Sequence, residues 1–139
     1  MKPINFDNCI FCKIIKSEIS CYKVNEDKDF LAFLDIHPHA KGHTVIIPKK
    51  HAETIFDLSE TDTKKLILFV KIVMKKINDL LHPSGFNVGW NHSPAGGQVI
   101  PHLHIHIFPR YENDNGGSFH SIIKNPCNLC VEEVAKLFV

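Results

Sequence analysis

The chain has 139 residues, 44% of them hydrophobic and 22% charged, which supports one domain with a packed core and excludes a disordered composition. Sixteen Lys and Arg against fifteen Asp and Glu leave a formal charge of +1, too little to collect nucleic acid or an anionic membrane surface. No apolar leader opens the sequence MKPINFDNC, and the densest apolar run, Leu66 to Val70, is far too short to span a bilayer, so a cytoplasmic protein is expected. Five cysteines in such a chain argue against a disulfide framework and leave thiol chemistry, metal ligation or burial.

In chain order, Cys9 to Lys16 reads as a short helix in which Ile10, Phe11, Ile14 and Ile15 share a face. Strands follow around Cys21 to Val24, Phe30 to Asp35 and His43 to Pro48, with turns expected at Asn25-Glu26-Asp27 and Ala40-Lys41-Gly42. From Ser59, a helix cap, the period changes: Leu66, Ile67, Val70, Val73, Met74, Ile77, Leu80 and Leu81 recur at helical spacing, with lysines mostly opposite. His82-Pro83-Ser84-Gly85 ends that helix. A fourth strand is expected over Phe86 to Asn91 and a fifth over Leu103 to Pro109, joined by the loop Ser93 to Gln98. A short terminal helix is expected near Val131 to Phe138. Strands without long crossovers imply an antiparallel sheet, and helices packed on about five strands make the class α+β.

Chemistry concentrates in His102-Leu103-His104-Ile105-His106-Ile107. On a strand the three imidazoles project to one face and the apolar residues to the other. Such a row suits either a zinc site or covalent catalysis by a neutral imidazole, and a lone histidine would suit neither better than a wetted surface. Gly96-Gly97 just upstream would let backbone N–H groups approach an anion, as phosphoryl or nucleotidyl transfer requires.

From about Cys9 to Arg110 the chain resembles the histidine triad (HIT) nucleotide hydrolases and transferases. The resemblance rests on Cys9-Ile10-Phe11-Cys12, Leu31-Ala32-Phe33-Leu34-Asp35-Ile36, Lys41-Gly42-His43-Thr44-Val45-Ile46-Ile47-Pro48-Lys49-Lys50-His51, Gly85-Phe86-Asn87-Val88-Gly89, and Gly97-Gln98 ahead of Pro101-His102-Leu103-His104-Ile105-His106. It implies a HIT domain over residues 1–110 and an extension over 111–139. By position, the resemblance makes His104 the nucleophile that takes the nucleotide, His106 a second imidazole that contacts the phosphate and helps protonate the leaving group, and His43 a third beside the site. Asp35 would bind ribose hydroxyls, while Ile10, Phe11, Phe33 and Ile36 would line a purine pocket, although ordinary core packing explains each equally well. Asn91, Gly97, Gln98 and position 99 would contact phosphate and ribose. Relatives commonly carry Ser or Thr at position 99, whereas Val99 donates no hydrogen bond.

Cys9-x-x-Cys12 has the spacing of two structural zinc ligands. The resemblance implies that His51 and His102 complete the site. Spacing also allows a rival that joins Cys9 and Cys12 to the second clip, Cys127-x-x-Cys130. A homodimer is implied as well, joined through the long helix and a neighbouring strand. The function implied is cleavage of purine nucleoside phosphoramidates or adenylated compounds, with a dinucleoside polyphosphate hydrolase, a weakly catalytic nucleotide-binding module, or a zinc-organised interaction protein as alternatives.

Overall fold

A computed structural model describes residues 6–128 and 130–139. The reading of the start of the chain falls partly on residues 1–5, outside this description. Five strands, β1 (Lys23–Glu26), β2 (Phe30–Leu34), β3 (Thr44–Pro48), β4 (Gly85–Gly89) and β5 (Ile105–Arg110), form one antiparallel sheet in the order β1-β2-β3-β5-β4. Helices α1 (Ile10–Ile15), α2 (Glu60–Leu81) and α3 (Val131–Ala135) accompany it, confirming the α+β expectation.

Alternation along the central strands divides the core in two. On one side Phe30, Ala32, Ile46, Leu103, Ile105 and Ile107 pack against Leu66, Phe69, Val70, Val73 and Ile77 of α2. On the other, Leu31, Phe33, Val45 and Ile47 pack against Phe11 of α1. The second side therefore carries His106 of β5 and, in the segment leading into it, His102 and His104.

Several boundaries shift for local reasons. β1 includes Asn25 and Glu26, and the turn comes later, where Asp27 Oδ1 accepts the backbone N–H groups of Asp29 and Phe30 at 2.8 and 2.7 Å. β5 starts at Ile105 rather than Leu103, because the Leu103 N–H is diverted to the Ala52 carbonyl at 2.7 Å. Without that partner β4 stops at Gly89, which faces His106, short of the expected Asn91. In α2 the buried stripe includes Phe69, while Ile67 and Leu80, expected inside, stand in solvent.

His82 closes α2 in the left-handed region at φ 50°, and Ser59 opens it, its hydroxyl accepting the Asp62 N–H at 3.0 Å. Ser59→Ala should cost about 1 kcal/mol of stability in urea unfolding, with Ser59→Asp close to neutral. Equal stability of Ser59→Ala and the parent would show that the cap contributes nothing.

Candidate functional site

Histidine row. β5 is an interior strand, and His102 and His104 are buried, so the row does not belong to a wet sheet edge. The His104 Nδ1–H donates to the His102 carbonyl at 2.7 Å. In a neutral imidazole that leaves Nε2 bare, as a nucleophile requires. The Phe11 ring makes a T-shaped contact with this imidazole, with centroids 5.1 Å apart.

The neighbouring rings have the opposite polarity. His43 Nδ1 accepts the backbone N–H of His39 at 3.2 Å, which puts the proton of neutral His43 on Nε2. Nε2–H then donates to His106 Nδ1 at 3.0 Å, so the remaining proton of His106 sits on its Nε2. One imidazole thus presents a lone pair and the next an N–H, their centroids 5.1 Å apart. Asp35 approaches the same relay, with Oδ2 3.6 Å from His43 Nε2, while its Oδ1 accepts the His37 N–H. A cation held by Asp35, His43 and His106 would need the lone pair of His43 Nε2. It would push that proton to Nδ1, against the His39 N–H, so this group fits a hydrogen-bond relay better than a metal.

Burial, reinforced by the positive charge that His104 and His43 would carry, lowers the pKa of His106 from 6.5 to about 4. Burial also lowers that of His43. His106 is therefore neutral at pH 7. Since the unfolded chain takes up this proton first, the contribution of His106 to stability is complete above pH 6.5 and declines as pH falls towards 4. Urea unfolding at pH 7.5 and 4.5 should show wild type losing about 2 kcal/mol more than His106→Asn. Parallel losses would remove burial of the neutral ring as the cause.

Sulfur cluster. Cys9, Cys12, His51 and His102 converge, each offering one ligand atom within 4.8 Å of the others. His102 Nδ1 lies 3.4 Å from Cys9 Sγ and 3.6 Å from Cys12 Sγ, and His51 Nδ1 lies 3.3 Å from Cys12 Sγ. A tetrahedral zinc with ordinary Zn–S and Zn–N bonds holds sulfur and nitrogen about 3.5 Å apart, so these separations fit the ion. The His102 Nε2–H donates to the Pro48 carbonyl at 2.9 Å, which frees Nδ1 for a metal in the usual manner of a ligating histidine. Burial and the neighbouring Cys9 push the Cys12 thiol up to about 11, and a cation would reverse that tendency. Cys127 and Cys130 are exposed and, among the described residues, join no such group.

The remaining candidates divide by burial. Phe11 and Phe33 belong to the buried cluster under α1, whereas Ile10 and Ile36 are exposed, so core packing accounts for the first pair only. Asp35, His43, His106, Asn91 and Gly96 line a cavity of about 900 Å³, together with Trp90, Phe108 and Phe119. Gly97, at φ 93°, turns the loop beside Asn91, and Val99 is 88% exposed. Gln98 is occupied within the loop: its carbonyl accepts the Ser93 N–H, and its amide donates to the Glu53 and Ile100 carbonyls. Sequence reasoning missed Phe108, stacked on His106 at 5.7 Å, and Arg110, which grips Asp114, Asn87 and the Gly117 carbonyl. Extending the alternation of the histidines two and four residues further would have found both.

Comparison with known proteins gives a consistent picture. The HIT domain family model matches residues 16–113. A HIT-like protein of Methanocaldococcus jannaschii is 45% identical over 130 residues, covering 92% of this chain and 96% of its own. The adenosine 5′-monophosphoramidase of Schizosaccharomyces pombe is 40% identical over 109 residues, covering 78% and 79%. The crystal structure of a HIT family protein from Bacillus anthracis superposes with a TM-score of 0.82 at 38% identity, over 95% of this chain and 93% of that one.

Proposed function

Because the chain belongs to the HIT domain family, we propose that it is a purine nucleotide hydrolase that cleaves nucleoside phosphoramidates or adenylated compounds at the α-phosphorus, through a nucleotide carried on His104. The reading is carried by the opposite protonation of two adjacent rings, a bare nitrogen on His104 beside an N–H on His106. His104 Nε2 attacks phosphorus, the bond from phosphorus to the leaving amine breaks, and the amine departs with a proton from solvent. Water then attacks the phosphorus, the N–P bond breaks, the proton that water sheds returns to solvent, and a nucleoside monophosphate and neutral imidazole result. Dividing the displacement this way avoids activating water and expelling the amine in one step.

His106, neutral at pH 7, acts as a hydrogen-bond donor to a phosphate oxygen rather than as a charged proton source. His43 holds it in that tautomer, and Asp35 has the chemistry to accept two ribose hydroxyls. Ile10, Phe11, Phe33 and Ile36 offer the base an apolar wall, and Asn91, Gly97 and Gln98 belong to the phosphate side. Incubation with an adenosine 5′-phosphoramidate should release AMP and the amine. AMP binding without release would replace the hydrolase with a nucleotide-binding module.

That second reading draws its support from Val99, which brings no hydroxyl to the site. If a hydroxyl there acts in the transition state, its absence costs about 2 kcal/mol, so Val99→Ser should raise kcat roughly thirtyfold with KM little changed. An unchanged kcat would show that backbone donors already serve that role.

The sulfur cluster is read as a structural zinc site of Cys9, Cys12, His51 and His102, where the ion supplies cross-linking of α1 to the sheet rather than activation of water. Residues 1–110 form the catalytic domain in this reading, and 111–139 an extension whose Phe119 lies against Gly89. A cytoplasmic homodimer is part of the proposal: α2 exposes Ile67, Leu68 and Ile72, and β4 ends the sheet. Among the described residues no helix is long and apolar enough to cross a membrane.

A further inference from the structure

The loop that carries Gly97 turns on a serine whose backbone is shaped like a glycine's. Ser93 has φ 61° and ψ 165°, a region that residues with a Cβ enter at a steric cost and keep only where neighbouring contacts hold them there. Gln98 supplies most of that hold, gripping Ser93 at both of its backbone polar groups. The Gln98 side-chain carbonyl accepts the Ser93 N–H at 2.8 Å, and the Gln98 N–H donates to the Ser93 carbonyl at 3.1 Å. The side-chain amide nitrogen donates to the Glu53 carbonyl at 2.8 Å and to the Ile100 carbonyl at 3.1 Å, so both of its hydrogens are committed. Within the turn thus closed, the Gly96 N–H donates to the Ser93 carbonyl and the Gly97 N–H to the Pro94 carbonyl. Gly97 is left against Asn91, whose side chain a Cβ at that position would meet at 3.5 Å. The Ser93 hydroxyl makes no hydrogen bond among the described residues, so it does not account for the conformation.

We propose that Gln98 is a positioning residue that touches no part of the nucleotide: its amide clamps Ser93 in this glycine-like conformation and so presets the wall formed by Asn91 and Gly97 before substrate arrives. The inference rests on the phosphate-side reading of Asn91 and Gly97 given above. Groups fixed in advance need not reorganise as charge develops during the reaction, which is where a preset loop contributes. Without the clamp, Ser93 relaxes to an ordinary extended conformation, and the turn that seats Gly97 on Asn91 opens. A glycine at position 93 enters the same region without a steric penalty and holds the turn with no clamp.

The test is whether a glycine makes the clamp unnecessary. Gln98→Ala is made in three backgrounds, wild type, Ser93→Gly and Ser93→Ala. For each protein kcat and KM are measured on an adenosine 5′-phosphoramidate at a temperature where far-UV circular dichroism shows it folded, and Tm is recorded. In the wild-type background Gln98→Ala should lower kcat about tenfold or more, with KM within about threefold. In the Ser93→Gly background the same substitution should lower kcat by about threefold at most, the remainder reflecting the lost tie to Glu53. Ser93→Ala removes the hydroxyl but keeps a Cβ, so there the loss should stay as large as in wild type. An equal loss of kcat in the Ser93→Gly and wild-type backgrounds, or no loss in any background, would overturn the inference. So would a loss carried by KM in place of kcat, since that marks a direct hold on the nucleotide. Should Gln98→Ala not fold, Gln98→Met, which keeps the side chain's length and lacks the amide, goes through the same cycle with the same expectations. If wild type turns over no phosphoramidate, the proposed function fails, and melting alone decides the clamp. Gln98→Ala should then lower Tm by less in the Ser93→Gly background than in wild type, and equal shifts would overturn it.

Discussion

His104→Ala should lose at least about 10⁴-fold in kcat on an adenosine phosphoramidate while still binding AMP, because covalent catalysis has no substitute once its nucleophile is gone. Several features make His104 the place for this effect. Its ring is buried against Phe11, its Nδ1–H is committed to a backbone carbonyl, and its free nitrogen lies beside a ring that donates from the corresponding atom. His106→Asn keeps the nucleophile and removes only a donor, so its loss should be the smaller one, on the order of 10²- to 10³-fold. A His104→Ala enzyme within tenfold of wild type would remove the covalent route.

The second large effect concerns stability. Cys12→Ser should abolish stoichiometric zinc and lower Tm by roughly 10 °C or more, as expected if the ion contributes a few kcal/mol to a domain of this size. Cys127→Ser should retain one zinc per chain and the wild-type Tm, because Cys127 is exposed and apart from the cluster. The reverse pattern would give the site to the tail. Cys12 suits the experiment because its sulfur lies within 3.6 Å of both candidate histidine ligands, so its loss disrupts the tetrahedron from two sides.

Much of this arrangement was legible in the sequence, where local rules and tertiary packing agree. The long helix, its serine cap and its proline-terminated end follow from period and capping chemistry. The three-histidine alternation assigns Leu103, Ile105 and Ile107 to the core, and all three are buried. What was not legible depended on partners distant in sequence. The late start of β5 follows from a hydrogen bond to Ala52, and no local propensity reports that. The amphipathic pattern of α2 suggests that Ile67 and Leu80 are buried, but the face against the sheet is Leu66, Phe69, Val70, Val73 and Ile77, flanked by the partly buried Met74 and Leu81. For zinc, spacing left two sets of four ligands open, and the fold favoured one by bringing His51 and His102 to the same clip. The tautomers of His43, His104 and His106 were invisible in the sequence, because the first two are set by backbone groups and the third by the His43 ring, partners whose positions only the folded chain defines.

Rapid quenching of wild type mixed with an adenosine phosphoramidate, followed by peptide mass spectrometry without acid, tests the covalent route most directly. An adenylyl group on the peptide containing His104, localised to that residue by fragmentation and lost on brief acid treatment, is the expected result. Steady turnover with no modified peptide at any quench time, or the adduct on a different residue, would contradict it.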